Sequence, residues 1–249
     1  MRSFLWALSI VVALLSMSIV EAADSLRWLG LREQFFKNAT IVDDLRVQVI
    51  GPKSAEDSMN VPISVRMDGL SEVEEVHVLV DYNPIIKAIE FFPIKAAPAL
   101  TFRIKLQQSS PVRALARTRD GIWHHGVTVV EAAGGGCTAP STGSAAPDWT
   151  AALNKVASKQ FARDGLTRIR LQIQHPMDTG LAPGVPAFFI EKLAVVDSKN
   201  QELMRLHVFE PISENPIFSI DVPSNVASGE LSLRGVDNQG NRVRARLAQ

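Results

Sequence analysis

The sequence predicts an all-β protein built from two immunoglobulin-like antiparallel β-sandwich domains. Apolar residues alternate with polar ones along many short segments, turn-forming residues separate these segments, and no long amphipathic helices lie between them. Alternation with a period of two buries one face of each strand, and closely spaced strands without crossover helices favour a sandwich. We expect only short helices to flank these strands.

The first half begins with a predicted helix over residues 26–36, whose apolar residues roughly follow one helical face. We expect this helix to pack against a sheet. Turn signals such as Gly51-Pro52 and Asp68-Gly69 then separate segments of alternating character. The strands predicted in this half cover residues 45–49, 61–67, 76–80, 100–106, 112–118 and 126–130.

Residues 132–148 have the composition of a linker and contain the chain's one cysteine, Cys137. Gly134, Gly135 and Gly136 precede it, and such a run suits a flexible arm that approaches other surfaces closely. A single cysteine has no disulfide partner within the chain, and this one has few bulky neighbours in sequence. We therefore predict an exposed thiol on a mobile arm; a linker with an incidental thiol is the alternative.

The second half is predicted to start with a helix over residues 148–161, capped by Asp148 and ended by Asp164-Gly165. The clearest strand of the chain follows at residues 166–174. Further strands are predicted at residues 187–196, 202–208, 217–222, 230–236 and 243–247. The resulting division is a leader of residues 1–22, a first domain of 23–133, an arm, linker and short helix of 134–165, and a second domain of 166–249.

The leader has the features of a secretory signal peptide. Arg2 precedes an apolar run, and Ala22 supplies a small residue where a signal peptidase would cut. This predicts export to a periplasm, with no membrane attachment after cleavage; an uncleaved anchor is the alternative. With 26 basic and 26 acidic residues, the chain has no net charge to favour nucleic acid or anionic lipid.

No catalytic motif stands out, and we predict that the protein is not an enzyme and holds no cofactor or metal. The sequence lacks a nucleophile elbow, a phosphate-binding loop and a dinucleotide fingerprint. The pair His124-His125 suggests a metal site. Adjacent residues of a strand point to opposite faces, however, so the two side chains seldom bind one ion. His175 could be a base, although a loop histidine before proline more often makes a local hydrogen bond.

The two halves resemble the two subunits of the periplasmic sulfur carrier of the Sox thiosulfate-oxidation system, SoxY and SoxZ, fused in one chain. The first half, residues 40–137, resembles SoxY and the second, residues 166–248, resembles SoxZ. The SoxY-like motifs are Asn60-Val61-Pro62-Ile63-Ser64-Val65, Tyr82-Asn83-Pro84, Arg103-Ile104-Lys105-Leu106, Val112-Arg113-Ala114-Leu115-Ala116 and Gly134-Gly135-Gly136-Cys137. The SoxZ-like motifs are His175-Pro176-Met177-Asp178-Thr179-Gly180-Leu181, Pro186-Ala187-Phe188-Phe189-Ile190, Glu214-Asn215-Pro216-Ile217 and Val236-Asp237-Asn238-Gln239-Gly240. The chain looks most like single-chain carriers associated with quinoprotein dehydrogenases.

This resemblance implies that Cys137 holds a covalent sulfur adduct and carries it between partner enzymes, including c-type cytochromes and a quinoprotein dehydrogenase system. It also implies that the two domains pack on each other. The chain departs from the family in continuing past the cysteine with Thr138-Ala139-Pro140. Either the partner's site accepts a loop, or the linker is cut. The alternative function is an adaptor in which Cys137 has no role.

Overall fold

The computed structural model describes residues 26–142 and 149–248 and shows an all-β fold, as predicted. Two short helices are described, α1 (Leu26–Phe35) and α2 (Trp149–Ala152). The strands of the first half are β1 (Ile41–Asp43), β2 (Val47–Ile50), β3 (Val61–Met67), β4 (Val73–Val80), β5 (Lys87–Phe92), β6 (Ala99–Ile104), β7 (Ser110–Thr118) and β8 (Trp123–Val130). Those of the second half are β9 (Val156–Arg163), β10 (Leu166–Ile173), β11 (Ile190–Val196), β12 (Glu202–Val208), β13 (Ile217–Pro223), β14 (Ser232–Asp237) and β15 (Arg242–Arg246).

Two compact units make up the chain, one ending at Ala39 and including α1, the other beginning at Thr40 and containing all the strands. The expected packing of α1 on a sheet stays a prediction. The signal peptide predicted over residues 1–22 lies outside the described residues. Within the part of the chain that is described, no helix is long and apolar enough to cross a membrane.

Two sheets form the second unit, and each contains strands from both halves of the sequence. Over the described residues, the larger has nine strands in the order β1-β8-β7-β4-β5-β12-β11-β14-β15, and the smaller has six in the order β2-β3-β6-β13-β10-β9. Neighbours are antiparallel except for β1 and β8. The halves join where Phe91 of β5 lies opposite Leu206 of β12, and where Leu100 of β6 lies opposite Ile220 of β13.

One continuous group of buried apolar residues runs through both halves. Phe91 and Phe102 from the first half belong to the same cluster as Leu206 and Phe218 from the second. Burying apolar area stabilises a fold by about 25 cal/mol per Å², so each half stabilises the other. The expected packing of the two halves on each other is confirmed.

The helix predicted over residues 148–161 is wrong beyond Ala152. Asn154 has a positive φ of 60°, after which the chain runs as strand β9 and pairs with β10 in a hairpin. The turn is Asp164-Gly165, with φ of 44° and 79°. Such a turn between two alternating segments is a hairpin signal and not, as predicted, the end of a helix. The second half therefore begins with β9, ten residues earlier than the predicted domain start.

Candidate functional site around Cys137

The glycine-rich segment after β8 lies against the protein body in this structure. Gly135 N donates to Gln107 O and Gly136 N to Leu106 O, both at 3.0 Å, and Gly134 N donates to Ser58 Oγ at 3.1 Å. The prediction of a freely mobile arm is therefore wrong for this conformation. We call residues 134–142 the docked arm.

The glycines are needed for this close approach. A Cβ atom on Gly136 would lie 2.2 Å from Ser58 O, and one on Gly134 would lie 2.6 Å from Gln107 O. Gly134 also has a φ of 98°, which residues with a side chain rarely adopt. The sequence predicts that these glycines give flexibility, whereas in the structure two of them allow backbone to pack on backbone.

Cys137 is buried, with only 1% of its surface exposed. Its Sγ lies 3.8 Å from Lys105 O, within the range of a weak S–H hydrogen bond. Burial raises the pKa of the thiol to about 11, and the nearby Lys105 charge opposes that rise. The predicted exposed thiol is wrong for this conformation, because the arm places the sulfur between the two halves.

The second half supplies one wall of this site through residues 177–179. Thr179 Oγ1 donates to Cys137 O at 2.6 Å. The Asp178 carboxylate accepts hydrogen bonds from Ser141 N at 2.8 Å and Ser141 Oγ at 3.0 Å. Docking of the arm therefore uses side chains from the motif that resembled SoxZ.

Lys105 is the charged side chain that sequence reasoning missed. It is fully buried just after β6, and its Nζ donates to Met177 O at 2.5 Å. Burial lowers the pKa of its ammonium group, while Asp178, Cys137 and Glu214 oppose that shift. Lys105 is 32 residues from Cys137 in sequence, so the residues that flank the cysteine do not indicate it.

His175 stabilises the conformation of residues 177–179, which form this wall. Its Nδ1 accepts a hydrogen bond from Met177 N at 3.1 Å, which confirms the expected local hydrogen bond. Nε2 lies 3.5 Å from Asp237 Oδ2, and the ring lies 4.5 Å from that of Phe188. Burial lowers the pKa of His175 to about 4, so the imidazole is neutral at neutral pH.

His124 and His125 make separate interactions. His124 Nδ1 lies 2.7 Å from Asp44 Oδ2, whereas His125 Nδ1 lies 2.6 Å from Asp43 Oδ1. Over residues 26–142 and 149–248, no group of three or more His, Cys, Asp or Glu side chains is arranged to hold a metal ion. The two histidines do not converge on a shared position.

The chain is similar to two solved structures over part of its length. The sulfur carrier protein SoxY from Chlorobium limicola f thiosulfatophilum is 16% identical, with a TM-score of 0.38 over 43% of this chain and 96% of that one. A candidate superoxide reductase from Thermotoga maritima is 14% identical, with a TM-score of 0.33 over 37% of this chain and 94% of that one. At these TM-scores neither likeness says anything about activity. No curated protein matches the sequence significantly.

Family models match both halves. Residues 32–137 match the sulfur oxidation protein SoxY, and residues 156–248 match the sulphur oxidation protein SoxZ. The first match ends at Cys137, and the second begins with β9. The chain is therefore a fused SoxYZ protein, with a SoxY domain and a SoxZ domain of the sulfur-oxidation families joined in one polypeptide.

Proposed function

We propose that this protein is a periplasmic carrier that holds a sulfur intermediate covalently on Cys137 and presents it to enzymes of sulfur oxidation. The observation that supports this most is the position of Cys137. It is the one cysteine of the chain, it closes the SoxY match, and it lies where the SoxY and SoxZ halves meet. The carrier itself catalyses nothing and needs no cofactor beyond the adduct.

With thiosulfate as the sulfur source, loading forms an S–S bond between Cys137 and the outer sulfur of thiosulfate. The thiol loses its proton, and the thiol and thiosulfate together lose two electrons. The product is the thiosulfonate Cys–S–S–SO₃⁻. A c-type cytochrome is the electron acceptor in this scheme, and a quinoprotein dehydrogenase system is a further partner. Export through residues 1–22 places the chain in the same compartment as these partners.

Loading requires the arm to leave its docked position. A pKa of about 11 leaves roughly one thiol in 10⁴ as thiolate at pH 7, and the thiolate is the nucleophile. Hydrogen bonds hold the arm in place, and the glycines of the arm donate theirs from backbone N–H groups. Such contacts exchange readily for water, so the docked arm protects the sulfur and the released arm presents it.

Intact mass spectrometry of the protein from its native source tests this function. We expect additions of whole sulfur atoms or of a thiosulfonate that disappear with a reductant, and none of these in Cys137→Ser. A single species of full mature mass with the adduct would also show that the linker is not cut. An unmodified wild-type thiol under active sulfur oxidation would contradict the proposal.

The burial of Cys137 favours a second candidate, an adaptor in which the thiol is a core residue. An adaptor would bind a quinoprotein dehydrogenase or a cytochrome through its sheets. Sulfur oxidation in cells whose chain carries Cys137→Ser separates the two functions. If the protein is a carrier, these cells lose sulfur oxidation; if it is an adaptor, they retain sulfur oxidation.

A further inference from the structure

Lys105 connects the sulfur to both halves of the protein. Its carbonyl oxygen accepts a hydrogen bond from Asn83 Nδ2 at 2.8 Å and lies 3.8 Å from Cys137 Sγ. Its ammonium group reaches Met177 O, two residues from the Thr179 hydroxyl that holds the arm. The cation is therefore enclosed in the same site as the thiol.

The charge of this ammonium group is poorly balanced. Among the described residues, its hydrogen-bond acceptor is the neutral carbonyl of Met177, although an ammonium group has three N–H donors. Asp178 and Glu214 interact with the ammonium group only through their charges. Their carboxylates accept hydrogen bonds from Ser141 and Thr142 of the arm instead. A buried cation is costly unless it is paired and fully hydrogen-bonded.

Arg113, which is also fully buried, shows what direct pairing looks like among the described residues. Arg113 Nε lies 2.9 Å from both carboxylate oxygens of Asp81, and both side chains are fully buried. Lys105 has no carboxylate at such a distance within the described ranges. The backbone carbonyl of Lys105 lies 3.8 Å from Cys137 Sγ, and the charges of the two side chains act on each other.

We propose that Lys105 binds the anionic end of the adduct on Cys137 and so selects thiosulfonate and sulfonate cargo over neutral cargo in the docked arm. This inference rests on the proposed carrier function. One S–S bond of about 2 Å separates Sγ from the next sulfur, so the adduct extends only a short distance from Sγ. The anion supplies the charge partner that the thiol form lacks.

Chemical loading tests this without any partner enzyme. Tetrathionate converts the thiolate to Cys–S–S–SO₃⁻ and releases thiosulfate, which balances without a further oxidant. Methyl methanethiosulfonate gives the neutral Cys–S–S–CH₃ and releases methanesulfinate. Tris(2-carboxyethyl)phosphine then removes each adduct at pH 7, and mass spectrometry follows the loss.

Lys105→Met should release the anionic adduct about tenfold faster than the wild type, since hydrogen bonds to charged groups are among the stronger ones. Release of the S-methyl adduct should stay within twofold. Lys105→Arg, which keeps the charge, should restore slow release of the anionic adduct. Equal acceleration of both adducts in Lys105→Met would mean that Lys105 only supports the docked arm, and would overturn the inference.

A measurement on the wild type covers the case in which Lys105→Met does not fold. Thiosulfonate loading should raise the melting temperature by about 4 °C above that of the S-methyl form, as expected from a tenfold preference for the docked state. Equal melting temperatures would overturn the inference. Because both adducts are made chemically, this result is independent of whether the native protein carries sulfur.

Discussion

The substitution Thr179→Val should release the arm and expose Cys137 to alkylation. Thr179 Oγ1 donates to Cys137 O at 2.6 Å in a buried position. Valine has a similar shape but no hydroxyl, so in the docked state the carbonyl loses its partner. An unsatisfied buried acceptor costs about 1–3 kcal/mol. Taking about 1 kcal/mol, the ratio of released to docked arm rises roughly fivefold.

Iodoacetamide under native conditions measures this ratio. If the thiol reacts only when the arm is released, the observed rate equals the opening equilibrium multiplied by the rate for an exposed thiol. The docked thiol contributes little to the observed alkylation rate even where iodoacetamide reaches it. Its pKa is two units above the ordinary 9.0, which lowers the thiolate fraction about a hundredfold. Thr179→Val should therefore react about five times faster than the wild type at pH 8.

Thr101→Val is the matched control. It removes a comparable hydrogen bond, 2.9 Å between Thr101 Oγ1 and Ser64 Oγ, on strands β6 and β3 away from the arm. Its alkylation rate should equal that of the wild type. Equal rates for Thr179→Val and the wild type, or a wild-type rate matching that of the urea-unfolded chain, would refute the docked arm as the dominant state.

Three further predictions concern the arm, the titration of His175 and the shared sheets. Gly136→Ala should also accelerate alkylation, because its Cβ would lie 2.2 Å from Ser58 O; an unchanged rate would argue against close docking. The pKa of His175 is lowered to about 4 in the folded protein, so the unfolded chain binds more protons between pH 6.5 and 4. As the pH falls through this range, the free energy of unfolding should therefore decrease by up to about 3 kcal/mol. Urea titrations should show this loss, and His175→Gln should reduce it. The halves should unfold in one urea transition seen equally by circular dichroism and tryptophan fluorescence, because they share both sheets; two transitions would contradict this.

Most strands could be predicted because alternation is a local property. The segments at 61–67 and 166–174 expose and bury successive residues in a sheet that has one inner face. The segment at 112–118 is buried on both faces, and it was predicted from its apolar residues and the turns that flank it. That the two halves share both sheets could not be predicted in the same way. The pair Phe91 and Leu206 lies more than a hundred positions apart, and no local pattern specifies such a partner.

Strand β9 shows where local pattern is ambiguous. Its residues are mostly half-exposed or exposed, so a weak alternation competes with an equally weak helical spacing. The Asp164-Gly165 turn decides for a hairpin, because both residues adopt positive φ and return the chain antiparallel. Turn chemistry was therefore the better signal at this position.

The position of Cys137 was the least predictable feature of the site. Small neighbours in sequence indicated exposure, but the residues that enclose the sulfur come from elsewhere in the chain: Lys105 and the segment 177–179. Burial of a side chain depends on its neighbours in space, and a thin glycine segment lets those neighbours approach. A lysine directly after an apolar strand was the available clue, since buried lysines need a specific partner.

The sheet pairing between the halves explains how a tethered arm can still open. Pairing of β5 with β12 and of β6 with β13 holds the SoxY and SoxZ halves together without using residues 134–142. Release of the arm therefore leaves the shared core intact and breaks the contacts to Ser58, Lys105, Leu106, Gln107, Asp178, Thr179 and Glu214. Because the wall that receives the arm belongs to the same chain, redocking is intramolecular and independent of protein concentration. A carrier built this way can expose its sulfur to a partner and enclose it again while its domains stay paired.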